Sequence, residues 1–223
     1  SDDYYKSKLF QTIEFLKKDF LNDEGFLGSA YDADSDGEEG KYYVYTFDEI
    51  KEIKNIEKYY EVKPDGNWEK KIILVEKEKP TNEIIKKLFE IRCKRNKPFF
   101  DDKTQLDLNC LWISSLIAAN EILPDMGYLK LAETYISIIE KKYIRKSIYH
   151  SLSEDIVFIE DYAFLINALN DLSDKTMNFK YKDFARKLTK EAIIKFYQNE
   201  KNIFQKNPID NNDVFLRPVD IGD

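Results

Sequence analysis

The sequence predicts an all-α protein assembled from pairs of helices, with short β excursions confined to the connections. Three observations lead there. Apolar residues recur every three or four positions over most of the 223 residues. Helix-starting patterns, Thr46-x-x-Glu49 among them, stand before several of these runs. Glycine is scarce, 7 residues in all, and sits mainly in connections.

In chain order, Leu9, Ile13, Leu16 and Phe20 form one apolar stripe, closed by Asn22 and Gly25. The Thr46/Glu49 capping box predicts a second helix to about Tyr60. Pro64-Asp65-Gly66-Asn67 predicts a turn, and Lys71 to Val75 a strand. Thr81 caps a third helix running to about Arg95, and Pro98 forces a loop after it. Gln105 to Leu123 predicts the most apolar helix of the chain, and Pro124-Asp125 restarts the backbone as a fifth helix to about Lys142. An extended, β-branched stretch spans roughly Ile148 to Ile159. Two further helices are predicted over Glu160 to Leu172 and over about Phe179 to Gln198.

Composition narrows the function. A hydrophobic fraction of 43% and an aromatic fraction of 14% describe an ordered globular chain. The net charge of −7 arises from 42 acids and 35 bases interleaved along the sequence. Without a basic stripe, nucleic acid is not expected as a partner. The longest mostly apolar run, Leu111 to Ala119, is about half a membrane span and contains serines, so no membrane partner is expected. The acidic start SDDYYKSKLF lacks a signal-peptide pattern and does not begin with Met. Cys93 and Cys110 lack metal-site spacing and read as reduced, packing cysteines of a cytoplasmic protein.

Three stretches carry chemistry. The first, GFLGSAYDADSDGEEGKYYVYT from Gly25 to Thr46, concentrates Asp32, Asp34 and Asp36 in a short loop. Its Asp-x-Asp-x-Asp-Gly spacing matches the first half of an EF-hand loop, but Tyr43 stands where the closing Glu belongs. An EF-hand is therefore excluded. A turn whose carboxylates cap backbone amides and a cation site of another kind both remain open. The turn reading suits Asp36, Glu38 and Glu39 better than Asp32 and Asp34, which neighbour Ala30, Tyr31 and Ala33.

The second stretch, Asn96 to Ala119, places Asp101, Asp102 and Lys103 at the entrance of the apolar fourth helix, where acids favour the helix dipole. Asn109 falls inside that helix, and either a lining role in a site or a bond between helices would satisfy its amide. The third stretch, FIEDYAFLINALNDL, opens a helix with Glu160, Asp161 and Tyr162. Each acidic cluster by itself could be a helix start. Three of them, each beside aromatic residues, could instead line one end of a helical barrel, where paired carboxylates perform glycoside chemistry. His150 is the only histidine, which disfavours mechanisms that need two and leaves it with a structural or exposed place. The basic group Arg92, Lys94, Arg95 and Lys97 reads as complementing the end of the third helix, with anion binding by Arg92 or Arg95 as the sharper alternative.

In this order the stretches GFLGSAYDADSDGEEGKYYVYTFDEI, RNKPFFDDKTQLDLNCL and FIEDYAFLINALNDL, followed by RPVDIGD at Arg217 to Asp223, resemble the YyaL-type, spermatogenesis-associated thioredoxin-domain family. The resemblance covers nearly the whole chain. It implies a partial (α/α)6 toroid of helical hairpins, similar to six-hairpin glycosidases, as a single domain over residues 1–223 that is a fragment of a longer chain. It also implies a thioredoxin-like domain accompanying the toroid and exposed apolar surface beside the first and last helices.

Carried over by position, Asp32 and Asp34 match the family's DADS stretch, Asp101, Asp102 and Lys103 its DDK stretch, and Glu160, Asp161 and Tyr162 its EDY stretch. Asn109 matches an Asn that follows Trp in the family. Leu108 replaces that Trp, which removes an aromatic platform for a pyranose face, while Leu106 and Cys110 replace Thr and Gly. The implied catalytic carboxylates are Asp32, Asp34, Asp102 and Asp161, with Asp101, Lys103, Asn109, Glu160 and Tyr162 binding substrate. No metal and no cofactor is implied. The expected ligand is a small molecule of the sugar class, bound or turned over by a hydrolase or isomerase of carboxylate type. The alternative is a non-catalytic binding or scaffold module accompanying the thioredoxin-like domain.

Overall fold

The computed structural model describes residues 2–144 and 147–211, and the RPVDIGD segment lies outside them. The protein is mostly helical, about 52% in eight α-helices with a few short strands among the described residues. Helix α1 (Asp2–Asp19) leads into β1 (Ala30–Tyr31), β2 (Asp34–Ser35) and β3 (Glu38–Glu39). Helices α2 (Phe47–Ile50), α3 (Ile56–Tyr59) and α4 (Asn82–Arg92) and strand β4 (Phe100–Asp101) follow. Next come α5 (Leu106–Ile122), a 3-10 turn (Pro124–Met126), α6 (Tyr128–Lys142), α7 (Ile159–Thr176) and α8 (Phe179–Phe196). Strands β5 (Tyr197–Gln198) and β6 (Ile203–Phe204) close the described chain. Contacts divide it into two compact units: unit 1 holds residues up to Ser29 and from Asp102 onward, unit 2 holds Ala30–Asp101.

In unit 1, α5 packs against α6 and α7, and α7 against α8. Leu106, Ile113 and Leu116 of α5, Ile136 and Ile139 of α6, Leu165, Leu169 and Leu172 of α7 and Phe196 of α8 are almost wholly buried. Each such side chain contributes about 1.5–3 kcal/mol of apolar burial. Because α5 faces two neighbours, its apolar residues spread around the helix instead of lying in one stripe. Gly127 (φ 71°) turns the chain from the 3-10 segment into α6, as Pro124 anticipates. Tyr5 and Phe15 of α1, and Phe179 and Ile194 of α8, are exposed.

Unit 2 is built around a second core of Tyr45, Ile50, Ile53, Ile56, Ile72, Ile84 and Leu88. The predicted helix from Thr46 starts with its capping box, Thr46 N–H donating to Glu49 at 2.7 Å, but stops after one turn. Ile50, Ile53 and Ile56, spaced by three, are tied by bonds from Ile53 N to Ile50 O and Ile56 N to Ile53 O, and Asn55 turns left-handed (φ 63°). This tighter turn buries all three isoleucines and replaces the helix. The predicted strand at 71–75 becomes isolated bridges, because its partner changes along its length. Tyr45 pairs with Ile72, the Asn67 side chain holds Ile73, and Glu61 N–H donates to Val75 O. The predicted turn at 64–67 forms. Gly66 (φ +72°) is required there, since a Cβ would lie 2.3 Å from the Lys71 carbonyl oxygen.

Helix α5 follows its expected bounds closely, and α4 starts at its Thr81 cap, which accepts from Ile84 N–H at 3.4 Å, but ends at Arg92, three residues short of Arg95. Helix α7 runs one turn beyond its predicted end, to Thr176. Helix α8 ends two residues short of Gln198, because Tyr197–Gln198 pairs with Ile203–Phe204 as a hairpin.

Candidate functional site

The acidic loop of unit 2 is a β-hairpin. Asp34 pairs with Glu39 and Ser35 with Glu38, and the connecting Asp36-Gly37 has φ of 53° and 76°. Two successive positive φ values make the two-residue turn whose twist matches a hairpin, which is why Asp-Gly stands there. Asp36 accepts from the Asn96 amide at 2.9 Å, which, with Lys41 nearby, holds its carboxyl below the usual range. Glu38 bonds Lys71 and lies 3.4 Å from Lys41. Asp32 accepts from the N–H of Asp34 at 3.0 Å, an Asx turn. Hydrogen bonds and lysines thus offset part of this dense charge.

Arg95 has a building role in the same unit. Its guanidinium lies 4.8 Å from the Tyr45 ring centre, donates to the carbonyls of Lys41 and Tyr42 at 3.1 and 3.0 Å, and reaches Glu49 at 2.9 Å. A planar fork satisfies these acceptors together, and that occupies the group proposed above for an anion.

In unit 1, the segment before α5 forms a polar cleft of about 490 Å³. It is lined by Asn22, Asp23 and Glu24 on one side and by Asp102, Lys103 and Thr104 on another, with Leu152 and Ser153 completing it. The loop after α1 is shaped by the Asn22 side chain, whose oxygen accepts from Glu24 and Phe26 N–H at 3.0 and 3.1 Å. Its amide donates to the Asp102 carbonyl at 3.3 Å, and Ser29 Oγ donates to the Lys103 carbonyl at 2.7 Å. These bonds set the two walls against each other. Asp102 and Lys103 are exposed in this cleft.

A buried network adjoins the cleft in sequence. Asp161, wholly buried at the start of α7, places Oδ1 at 2.9 Å from His150 Nδ1 and accepts the Phe158 N–H on Oδ2 at 3.1 Å. Asp107, in the first turn of α5, lies 4.0 Å from the same ring nitrogen, and Gln105 Nε2 lies 3.1 Å from His150 Nε2. The backbone clamps the segment: Leu106 N–H donates to His150 O at 2.8 Å, and Gln105 bridges Ser151. Burial pushes the Asp161 carboxyl up to about 6, although its bond to His150 pulls the other way. Among the described residues, Asp107, His150 and Asp161 are the set of three metal-type donors that converges, all within 4.8 Å of one another.

The remaining motif residues are internal. Asn109 is wholly buried: Oδ1 accepts Leu27 N–H at 2.9 Å, and Nδ2 donates to the carbonyls of Leu27 and Gln105 at 3.1 and 2.9 Å. Tyr162 is also buried and donates its hydroxyl to Glu191 at 2.6 Å, beside Ser147 and Lys195. Glu160 lies 3.5 Å from Lys206, with its second oxygen buried and unpartnered. Of the sequence-derived residues, unit 1 contains Asp102, Lys103, Asn109, Glu160, Asp161 and Tyr162. Asp32, Asp34 and Asp101 belong to unit 2.

Asp107 and Gln105 carry no motif in the sequence, and nothing in it links Asp161 to His150. Residues 107 and 161 are far apart in sequence, and only packing of α5 on α7 unites them. No spacing rule signals such a pair. Compared with known proteins, the chain matches no family model and no curated protein. No helix among the described residues is long and apolar enough to cross a membrane.

Proposed function

We propose that unit 1 holds a carbohydrate-class small molecule in the cleft of Asp102 and Lys103, with Asp102 as the reactive or hydroxyl-gripping carboxylate. The observation that carries this is the cleft's lining of carboxylates, ammonium, amide and hydroxyl groups around about 490 Å³, a size and chemistry suited to a small polyol. Asp23 and Glu24 supply the second carboxylate. The substrate class comes from the motif resemblance to the YyaL-type family and its six-hairpin toroid. The sequential pairs α5–α6 and α7–α8, and the exposed apolar residues of α1 and α8, support the toroid. Asp32, Asp34 and Asp101 lie in unit 2 and carry only their motif resemblance, with no part in this cleft, while Asp161 acts by positioning His150. Two free thiols, Cys93 and Cys110, favour a cytoplasmic setting.

One observation favours the non-catalytic alternative, a binding or scaffold module. Asn109, Asp161 and Tyr162 are buried and already bonded within the protein. A thermal-shift screen against neutral sugars and sugar phosphates, combined with a turnover assay, separates the readings. A ligand at a hundred times its Kd adds about 2.7 kcal/mol, a shift of several degrees. The expected result is a shift with one sugar class that Asp102→Asn abolishes. Equal shifts in wild type and variant would overturn the role of Asp102, and a sugar shift without turnover would support the binding module.

A further inference from the structure

We propose that Asp107, His150 and Asp161 form a binding site for a first-row divalent transition metal, of the Mn²⁺ to Zn²⁺ range. The carbohydrate reading rests on Asp102 and the cleft, whose lining includes none of these three residues, although Asp161 and His150 enter that reading as positioning groups.

The geometry is that of three ligands around one point. His150 Nδ1 lies 2.9 Å from Asp161 Oδ1 and 4.0 Å from Asp107 Oδ1, and the three donors lie within 4.8 Å of one another. A triangle with these sides has a point equidistant from its corners at roughly 2.0–2.4 Å, close to transition-metal bond lengths to nitrogen and carboxylate oxygen. Each donor comes from a different place: the first turn of α5, the clamped segment before α7, and the first turn of α7. A cation there stabilises two carboxylates, one of them removed from water, that a single imidazole offsets only in part.

The surroundings hold each ligand in place, as metal sites require. Asp161 is fixed through its second oxygen by the Phe158 N–H, and Asp107 accepts the Leu108 N–H at 2.8 Å. A metal on Nδ1 leaves the ring proton on Nε2. The Gln105 amide, 3.1 Å from Nε2, accepts that proton when turned end for end. Its NH₂ then faces Ser29 Oγ at 3.3 Å, which still donates to the Lys103 carbonyl. Every donor in this relay finds an acceptor. The cation takes the place of the proton shared by Nδ1 and Oδ1, which leaves to solvent. Asp107 and His150 are 23% and 14% exposed, so water reaches the remaining coordination positions. One nitrogen and two carboxylate donors suit a borderline cation better than Mg²⁺, which keeps to oxygen.

The single histidine makes the test direct, because imidazole NMR of the untagged protein reports one ring. The chelator-treated protein is titrated with ZnCl₂ and, separately, MnCl₂, with metal content measured after dialysis. The expected result is one ion per chain and a His150 Nδ1 resonance typical of a metal-bound nitrogen, with Nε2 still protonated. Asp107→Asn, a part-exposed change that keeps the fold, weakens affinity at least tenfold, about 1.4 kcal/mol. His150→Gln abolishes stoichiometric binding. A protonated Nδ1 at saturating Zn²⁺, or unchanged affinity in folded Asp107→Asn, overturns the proposal. Retained metal binding in an Asp102→Asn protein that no longer binds sugar establishes the two sites as separate.

Discussion

Asn109→Ala tests the buried polar seam that joins the loop after α1 to helix α5. The amide pairs with both the N–H and the carbonyl of Leu27 and with the Gln105 carbonyl, at 2.9, 3.1 and 2.9 Å. Truncation leaves the two Leu27 groups without these bonds. The Gln105 carbonyl is less affected, since it keeps the N–H of residue 109 at 3.2 Å. Each orphaned buried group costs about 1–3 kcal/mol, so a total loss of about 3 kcal/mol is expected. For a protein of this size that lowers Tm by roughly 6–12 °C. Asn109→Asp is worse at neutral pH, because it aims a carboxylate at two carbonyl oxygens in a site with no exposure. Urea unfolding measures both variants, and hydrogen exchange at Leu27 N–H should accelerate in the alanine variant. A loss under about 1 kcal/mol for Asn109→Ala, or undiminished stability of Asn109→Asp, would refute the argument that this amide seals the seam.

Alkylation distinguishes the two thiols: exposed Cys93 reacts in the native protein, whereas burial raises the Cys110 thiol well above its usual range and should protect it until unfolding. Mass spectrometry after brief iodoacetamide treatment checks this, and early labelling of Cys110 would contradict its buried place. Arg95→Lys should destabilise unit 2 by about 2 kcal/mol, since one ammonium cannot serve the carbonyls of Lys41, Tyr42 and Val44 together with Glu49 while stacking on Tyr45. Local hydrogen exchange across residues 41–49 reads that loss. Thr46→Ala removes a capping box and should cost about 1 kcal/mol in the same measurement. Gly66→Ala should cost more than Thr46→Ala, because the backbone is left-handed and the new Cβ meets the Lys71 carbonyl. Equal stability of the two variants would contradict that ranking.

The sequence by itself determined the helical class, the start of α4, the bounds of α5 and the end of α6, because propensity, caps and proline act locally and agree there. It also marked the Pro-Asp-Gly-Asn turn, where backbone sterics leave few options. It misjudged residues 46–60, where three isoleucines spaced by three satisfy a helical pattern and a tighter turn alike. The demands of the unit 2 core decided between them. The tertiary structure alone decided which acids meet. Asp32 and Asp34 stand on a solvent-facing hairpin loop, whereas Asp107, unremarkable in the sequence, comes to lie beside His150 and buried Asp161. Capping and turn signals operate over a few residues. The contacts that unite residues 107, 150 and 161 depend on how α5 packs against α7, and no local pattern encodes that.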